Sequence, residues 1–136
     1  MRRTVALGSL AVYWLAIFVG THIPQGVRGL GRINDKLLHF GAYAGLAFLL
    51  AAALSTLRVR HGTLLLPLIV AAVYGCIDEL SQIAVPGRRA EFADWAADIF
   101  GAGVGVFAFG VLSLAVARLC ARSQSGNQQA VSETAA

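Results

Sequence analysis

The sequence predicts an all-α integral membrane protein, a bundle of four transmembrane helices. The composition is 57% hydrophobic and only 13% charged, whereas about a quarter of the residues in soluble domains are charged. The mean hydropathy is +0.70, and the apolar residues fall into four long runs within 136 residues. Almost no polar remainder is left to surround these runs as the core of a soluble fold, so the bilayer is the expected surrounding.

The four runs predict helices over residues 5–23, 37–57, 64–82 and 95–119. A bilayer core requires about 20 helical residues, with a range of about 17 to 25, and each predicted helix fits that range. The membrane domain is therefore expected to cover residues 1–122. The remaining residues, 123–136, are rich in Ser, Gln and Ala and have no apolar periodicity, so this tail is expected to be disordered.

Four consecutive spans place the loops of residues 21–36 and 81–94 on one side of the membrane, and both termini with residues 58–63 on the other. The first side carries five cations against six carboxylates, and the second carries six arginines and Glu133. Orientation follows Lys and Arg near the helix ends, and the first helix usually dominates. Because Arg2 and Arg3 precede that helix and Arg28 follows at a distance, we expect both termini in the cytoplasm.

Polar residues recur at the helix ends that share one leaflet. His39 and Tyr43 are four residues apart near the start of the second helix, a spacing that places them on one helical face. Asp78 and Gln82 repeat this spacing at the end of the third helix, as do Asp94 and Asp98 at the start of the fourth. Ionisable residues in membrane segments are costly unless they face protein or water, and they indicate a functional site by default.

Two further patterns concern helix packing and the loop above the cluster. The turn signal Pro86–Gly87 precedes Arg88, and we expect this arginine to point at the cluster, where it would bridge Asp94 or Glu79 or bind a phosphate. The pairs Gly41/Gly45 and Gly101/Gly105 have the small-xxx-small spacing that lets membrane helices approach closely.

Neither a metal nor a cofactor is assigned from the sequence. The chain contains no HExxH-type spacing, and its two cysteines, Cys76 and Cys120, are far apart in the sequence. A glycine-rich phosphate loop and a basic-aromatic stripe are also missing from the sequence. The basic isoelectric point, about 9.7, reflects arginines at helix ends, so nucleic acid is not an expected partner.

The polar residues form two motifs that resemble the VanZ-like family. The first is Asp35-Lys36-x-x-His39-Phe40-x-x-Tyr43, and the second runs from Asp78-Glu79-x-x-Gln82 through Pro86-Gly87-Arg88 to Asp94-x-x-x-Asp98-x-x-Gly101. The resemblance implies a small bacterial membrane protein related to one that gives low-level teicoplanin resistance. The family usually has asparagine where this chain has Asp98, which adds a carboxylate that a shared proton, an arginine or a metal would have to compensate.

Three functions are compatible with these residues. We expect a protein of the bacterial cytoplasmic membrane that binds a lipid or cell-wall precursor headgroup at an outer-leaflet site and influences glycopeptide susceptibility. The alternatives are a membrane hydrolase or transferase, with His39 as general base and Asp78 or Glu79 orienting it or holding a divalent metal, and a structural partner of another membrane protein. The candidate binding residues are His39, Tyr43, Asp78, Glu79, Gln82, Arg88, Asp94 and Asp98.

Overall fold

The structure, a computed structural model, describes residues 2–24, 34–57 and 64–134, with side chains for all of these except residues 2 and 126–134. Its helices are α1 (Arg2–Thr21), α2 (Asp35–Thr56), α3 (Leu65–Gln82) and α4 (Phe92–Thr134). Each contains a segment that is long and apolar enough to cross a membrane, which confirms the predicted fold class. Arg28 and the loop of residues 58–63 lie outside the described residues.

The helix ends follow from local sequence. The side chain of Asn34 accepts a hydrogen bond from the backbone N–H of Lys36 at 3.0 Å, capping the start of α2. Pro67 lies in the first turn of α3, where its missing N–H would have no partner within the helix. After α3 ends, Gly87 adopts a φ of 79°, the left-handed conformation that glycine tolerates best, and the chain turns towards α4.

The closest helix packing is between α2 and α4, which run in the same direction. A Cβ atom at Gly101 would collide with the backbone carbonyl of Phe40, and one at Gly105 with that of Ala44. The Gly101/Gly105 pair therefore allows the predicted close approach. The other pair differs from expectation, since Gly45 accommodates the Tyr13 ring of α1 and Gly41 has no neighbour near its Cβ position.

Large apolar side chains cover the outside of the bundle. Phe92, Phe100 and Phe107 on α4 each expose more than 70% of their surface. The buried apolar core is small by comparison and is formed by Ile17, Tyr43, Leu46, Ala47, Leu50, Ala71 and Ala102. Apolar side chains pointing outward suit contact with acyl chains, so the pattern of exposure agrees with a position in the bilayer.

The structure departs from the sequence-based expectation beyond residue 119. The other observed helix bounds lie within three residues of the predicted ones, but α4 continues to Thr134 through the tail that was expected to be disordered. No proline follows Pro86, and each residue added to an existing helix gains a backbone hydrogen bond. Residues 111–125 are all exposed, so this part of α4 extends without packing against the bundle.

We expect Gly101→Ala to destabilise the folded protein by roughly 1–3 kcal/mol, the usual cost of an overpacked contact. Gly103→Ala is the matched control, because nothing lies within 4 Å of its Cβ position and both changes gain similar helix propensity. Thermal unfolding of the detergent-solubilised variants would measure the difference. Equal stability of the two variants would contradict the assigned α2–α4 contact.

Candidate functional site

The predicted polar residues meet where α1 and α3 end and α2 and α4 begin. His39 and Tyr43 come from α2, and their rings lie nearly parallel with centroids 6.4 Å apart, as their four-residue spacing predicts. The structure buries all eight candidate residues: His39, Tyr43, Asp78, Glu79, Gln82, Arg88, Asp94 and Asp98. We call this group the polar cluster.

His39 joins three helices within the polar cluster. Its Nδ1 lies 2.9 Å from Oδ1 of Asp98 on α4, which is hydrogen-bonding distance, and 3.7 Å from Oε1 of Glu79 on α3. Asp78 and Glu79 are the carboxylates that the sequence predicts near this histidine. The structure places Glu79 beside it but makes Asp98 its hydrogen-bonding partner.

Asp78 has a different role from the one expected. Its Oδ1 accepts a hydrogen bond from the Thr21 hydroxyl at 2.9 Å, and its Oδ2 accepts one from Nε2 of Gln82 at 2.9 Å. Both carboxylate oxygens of Asp78 thus accept hydrogen bonds from other residues, and of the two alternatives, Asp78 or Glu79, it is Glu79 that lies beside His39. The bond to Thr21 instead fixes the end of α1 against α3.

A separate group of charged side chains stabilises the N-terminal end of helix α4. Nζ of Lys36 lies 3.1 Å from Oδ1 of Asp94 and 3.1 Å from Oε2 of Glu91. The backbone N–H of Glu91 donates to Oε2 of Glu79 at 2.8 Å. Lysine therefore compensates Asp94, and α4 begins directly above the carboxylate of Glu79.

Arg88 pairs with residues other than those predicted. Its Nη1 donates to Oδ2 of Asp35 at 2.7 Å, and its Nη2 donates to the carbonyl of Thr21 at 2.9 Å. The expected bridge to Asp94 or Glu79 is wrong, because the turn after α3 brings the arginine over the end of α1, where terminal helix carbonyls lack partners within their own helix. Arg88 is buried by these contacts.

Several buried polar atoms of the cluster have no hydrogen-bond partner among the described residues. They are His39 Nε2, Tyr43 OH, Glu79 Oε1, Arg88 Nε and Asp98 Oδ2. Leaving a buried polar group unpaired costs about 1–3 kcal/mol. Three of the five belong to His39 and the two carboxylates beside it, so hydrogen-bonding capacity is left unused at this point of the bundle.

A cavity of about 310 Å³ opens beside the polar cluster, between α1 and α2. We call it the lateral groove. Its walls are mostly apolar, and the polar side chains of Thr21 and His39 lie at its cluster end. The lining residues are Tyr13, Ala16, Ile17, Gly20, Thr21, Ile23, Leu38, His39 and Ala42. The groove therefore connects an apolar wall in the membrane region with the buried histidine.

The arrangement of helices and polar residues agrees with the comparison to known families. The VanZ/LLP1 family profile matches residues 5–113, a range that contains the second and third membrane spans, most of the first and fourth, and the whole polar cluster. The chain belongs to the VanZ/LLP1 family. Comparison with curated proteins and with solved structures gave no significant match. The protein is thus a VanZ-like membrane protein with several spans.

Asp98 is the residue for which the resemblance to the VanZ-like family implies an additional carboxylate that needs compensation. Its side chain is completely buried and contacts the imidazole of His39. Gly75 of α3 makes room for the carboxylate, since a Cβ atom there would lie 2.8 Å from Asp98 Oδ2. Among the described residues, the side chain at hydrogen-bonding distance from this carboxylate is His39, which was not one of the expected compensations.

Thr21 and Lys36 make contacts that the sequence reasoning did not assign. Thr21 binds Asp78 through its hydroxyl and Arg88 through its carbonyl. A polar residue at the end of the first apolar run was the available signal, because the helix order places that end beside the cluster. The pairing of Lys36 with Asp94 had no comparable signal, since it depends on the register between α2 and α4.

We expect Arg88→Ala to lower the stability of this VanZ-like protein by roughly 1–3 kcal/mol, because the buried carbonyl of Thr21 and the carboxylate of Asp35 each lose the hydrogen bond that Arg88 donates. Arg89→Ala should change stability by less than about 0.5 kcal/mol, since Arg89 is exposed. Unfolding curves and the yield of folded protein from membranes would measure both effects. The same loss in both variants would contradict the assigned contacts of Arg88.

Proposed function

We propose that this VanZ-like protein binds a lipid or a lipid-linked cell-wall precursor, with the apolar chain in the lateral groove and the headgroup at the polar cluster. The observation that carries this proposal is the position of His39. It lines the groove, and its ring belongs to the cluster of buried polar atoms without partners. One ligand with an apolar tail and a polar head would satisfy both regions.

The size and lining of the groove favour a lipid chain. Small-molecule sites have volumes of about 300–1,000 Å³ and are mostly apolar with a few placed polar groups. The groove, at about 310 Å³, lies at the lower end of this range. A single acyl or prenyl chain, with its headgroup outside the groove, is the occupant that fits best.

The charges of the polar cluster favour a headgroup that donates hydrogen bonds. Glu79 and Asp98 each present an unpartnered carboxylate oxygen, and carboxylates are acceptors when ionised. Hydroxyl or amine groups of a glycan or lipid headgroup would complement them. Because Arg88 already binds Asp35 and Thr21, the exposed Arg89 is the better candidate for contact with a phosphate.

The family and the charge distribution suggest the physiological setting. In this proposal the protein resides in the bacterial cytoplasmic membrane, and the polar cluster faces the outer leaflet, where cell-wall precursors are exposed to glycopeptides. Binding of such a precursor would alter susceptibility to teicoplanin-type antibiotics. The resemblance to the VanZ-like family supports this setting.

A membrane enzyme is the second candidate, and one observation favours it. Asp98 lies at hydrogen-bonding distance from Nδ1 of His39, while Nε2 has no partner among the described residues. This is the arrangement of a general base oriented by a carboxylate. Conversion of a bound lipid by the wild-type protein that is lost in His39→Gln would favour the enzyme over a binding protein.

Filling the lateral groove should displace the lipid. We expect wild-type protein released into mild detergent to retain a lipid in native mass spectra, and Ala16→Phe to lose it because the new ring occupies the groove. Ala11→Phe is the matched control, an exposed alanine of the same helix that is not among the lining residues. In cells, the wild type should raise the inhibitory concentration of teicoplanin, and Ala16→Phe should not.

Retention of the same lipid by all three proteins would contradict the assignment of the groove. Absence of any retained lipid from the wild type, together with unchanged teicoplanin susceptibility, would contradict the proposed function as a whole. The unfolding temperature of each variant would show whether the phenylalanine changed the fold.

The orientation can be tested independently. We expect an alkaline phosphatase fusion after residue 122 to be inactive and a green fluorescent protein fusion at the same position to be fluorescent, because arginines near both termini favour the cytoplasm. Fusions truncated after residue 89, in the loop beside the polar cluster, should give the opposite result. An active phosphatase after residue 122 would overturn the proposed orientation.

A further inference from the structure

We propose that His39, Glu79 and Asp98 form a binding site for a divalent transition-metal ion of the zinc class. These three side chains come from α2, α3 and α4 and meet in the interior of the bundle. The proposal concerns the empty protein and requires no lipid in the lateral groove. The sequence by itself assigned no metal. The three ligands lie on three different helices, so they are not close enough along the chain to form a recognisable metal-binding motif.

The distances between the candidate ligand atoms suit such an ion. One atom from each side chain lies within 4.8 Å of the other two, and His39 Nδ1 is 2.9 Å from Asp98 Oδ1 and 3.7 Å from Glu79 Oε1. Zinc bonds to nitrogen and oxygen are about 2.0–2.2 Å long in tetrahedral geometry, which separates neighbouring ligand atoms by about 3.3–3.6 Å. The observed distances bracket these values, so small side-chain movements would seat an ion.

The unpartnered atoms provide a second, independent observation. Glu79 is 5% exposed, His39 2% and Asp98 0%. Oε1 of Glu79 and Oδ2 of Asp98 are buried without a hydrogen-bond partner among the described residues. Two carboxylates beside one imidazole are costly to bury without a compensating charge, and a divalent cation would neutralise both.

The ligand types select the class of metal. Imidazole nitrogen favours zinc, cobalt, nickel or iron over magnesium and calcium, which prefer oxygen ligands throughout. Three protein ligands leave one tetrahedral position for water or for an oxygen of a bound headgroup, as in zinc sites that perform chemistry. The deprotonated Nδ1 of His39 would then bind the ion in place of its hydrogen bond to Asp98.

A second group of potential ligands also has its ligand atoms within 4.8 Å of one another. It consists of Asp35, His39 and Asp94. Here Arg88 lies 2.7 Å from Asp35, and Lys36 lies 3.1 Å from Asp94. A metal ion at this position would have to compete with the positively charged side chains of Arg88 and Lys36 for these two carboxylates. The buried group of His39, Glu79 and Asp98 has no such competitor among the described contacts and is the preferred site.

Cobalt titration of metal-free protein tests this site. We expect wild-type protein in detergent, stripped with a chelator, to bind one Co²⁺ per chain with the visible absorption of a four- or five-coordinate ion, and Zn²⁺ to displace it. Asp98→Asn and Glu79→Gln should each weaken binding at least about tenfold, as expected for loss of a ligand. Glu91→Gln should bind normally, because this carboxylate lies outside the polar cluster, is 55% exposed and pairs with Lys36.

Failure of the wild type to bind Co²⁺ would overturn the proposal, as would equal weakening in Glu91→Gln. Weakening in Asp35→Asn without weakening in Asp98→Asn would instead place the ion in the other group. If the carboxylate variants do not fold, zinc-edge X-ray absorption of the wild type identifies the metal ligands instead. One imidazole with oxygen ligands is expected, and a shell with sulfur or without imidazole would contradict the site. Because lipid retention is measured in a separate experiment, failure of the metal-site proposal would not contradict the proposed function.

Discussion

The structure depends on the compensation of charges that are buried at one end of an apolar bundle. Carboxylates in a membrane segment are tolerated only where the protein supplies partners. Asp78 is held by Thr21 and Gln82, while Asp94 is held by Lys36. These carboxylates and their partners together come from all four helices, so the same contacts that compensate charge also fix where the helices lie relative to one another.

Close backbone packing makes this compensation possible. Gly101 lets α4 approach the carbonyl of Phe40 on α2, one turn from the contact between His39 and Asp98. On helix α3, Gly75 leaves the space that the Asp98 carboxylate occupies. The carboxylate and the histidine meet because small residues remove the side chains that would separate them. Packing and electrostatics are therefore coupled at this end of the molecule.

The distribution of polar residues also bears on the kind of function that the bundle supports. Below the polar cluster, α2 contributes Leu46, Ala47 and Leu50 to a closed apolar core, and ion conduction would require polar groups along the whole path. Access from the side, through the lateral groove between α1 and α2, is more consistent with this arrangement. A cavity that reaches the polar cluster from the side is what the proposed binding of a membrane component requires.

The sequence by itself determined the four spans, the end of the bundle at which polar residues gather, and the family. These features follow from run length, helix order and residue spacing, which are local properties of the chain. Only the tertiary structure decided that His39 binds Asp98 rather than Asp78, and that Arg88 binds Asp35 and Thr21. Hydrogen bonds form over about 3 Å, so each pairing depends on the register and rotation of helices that spacing along one helix does not specify. The composition of the polar tail likewise did not predict that α4 continues through it, because helix propagation there depends on the preceding turns.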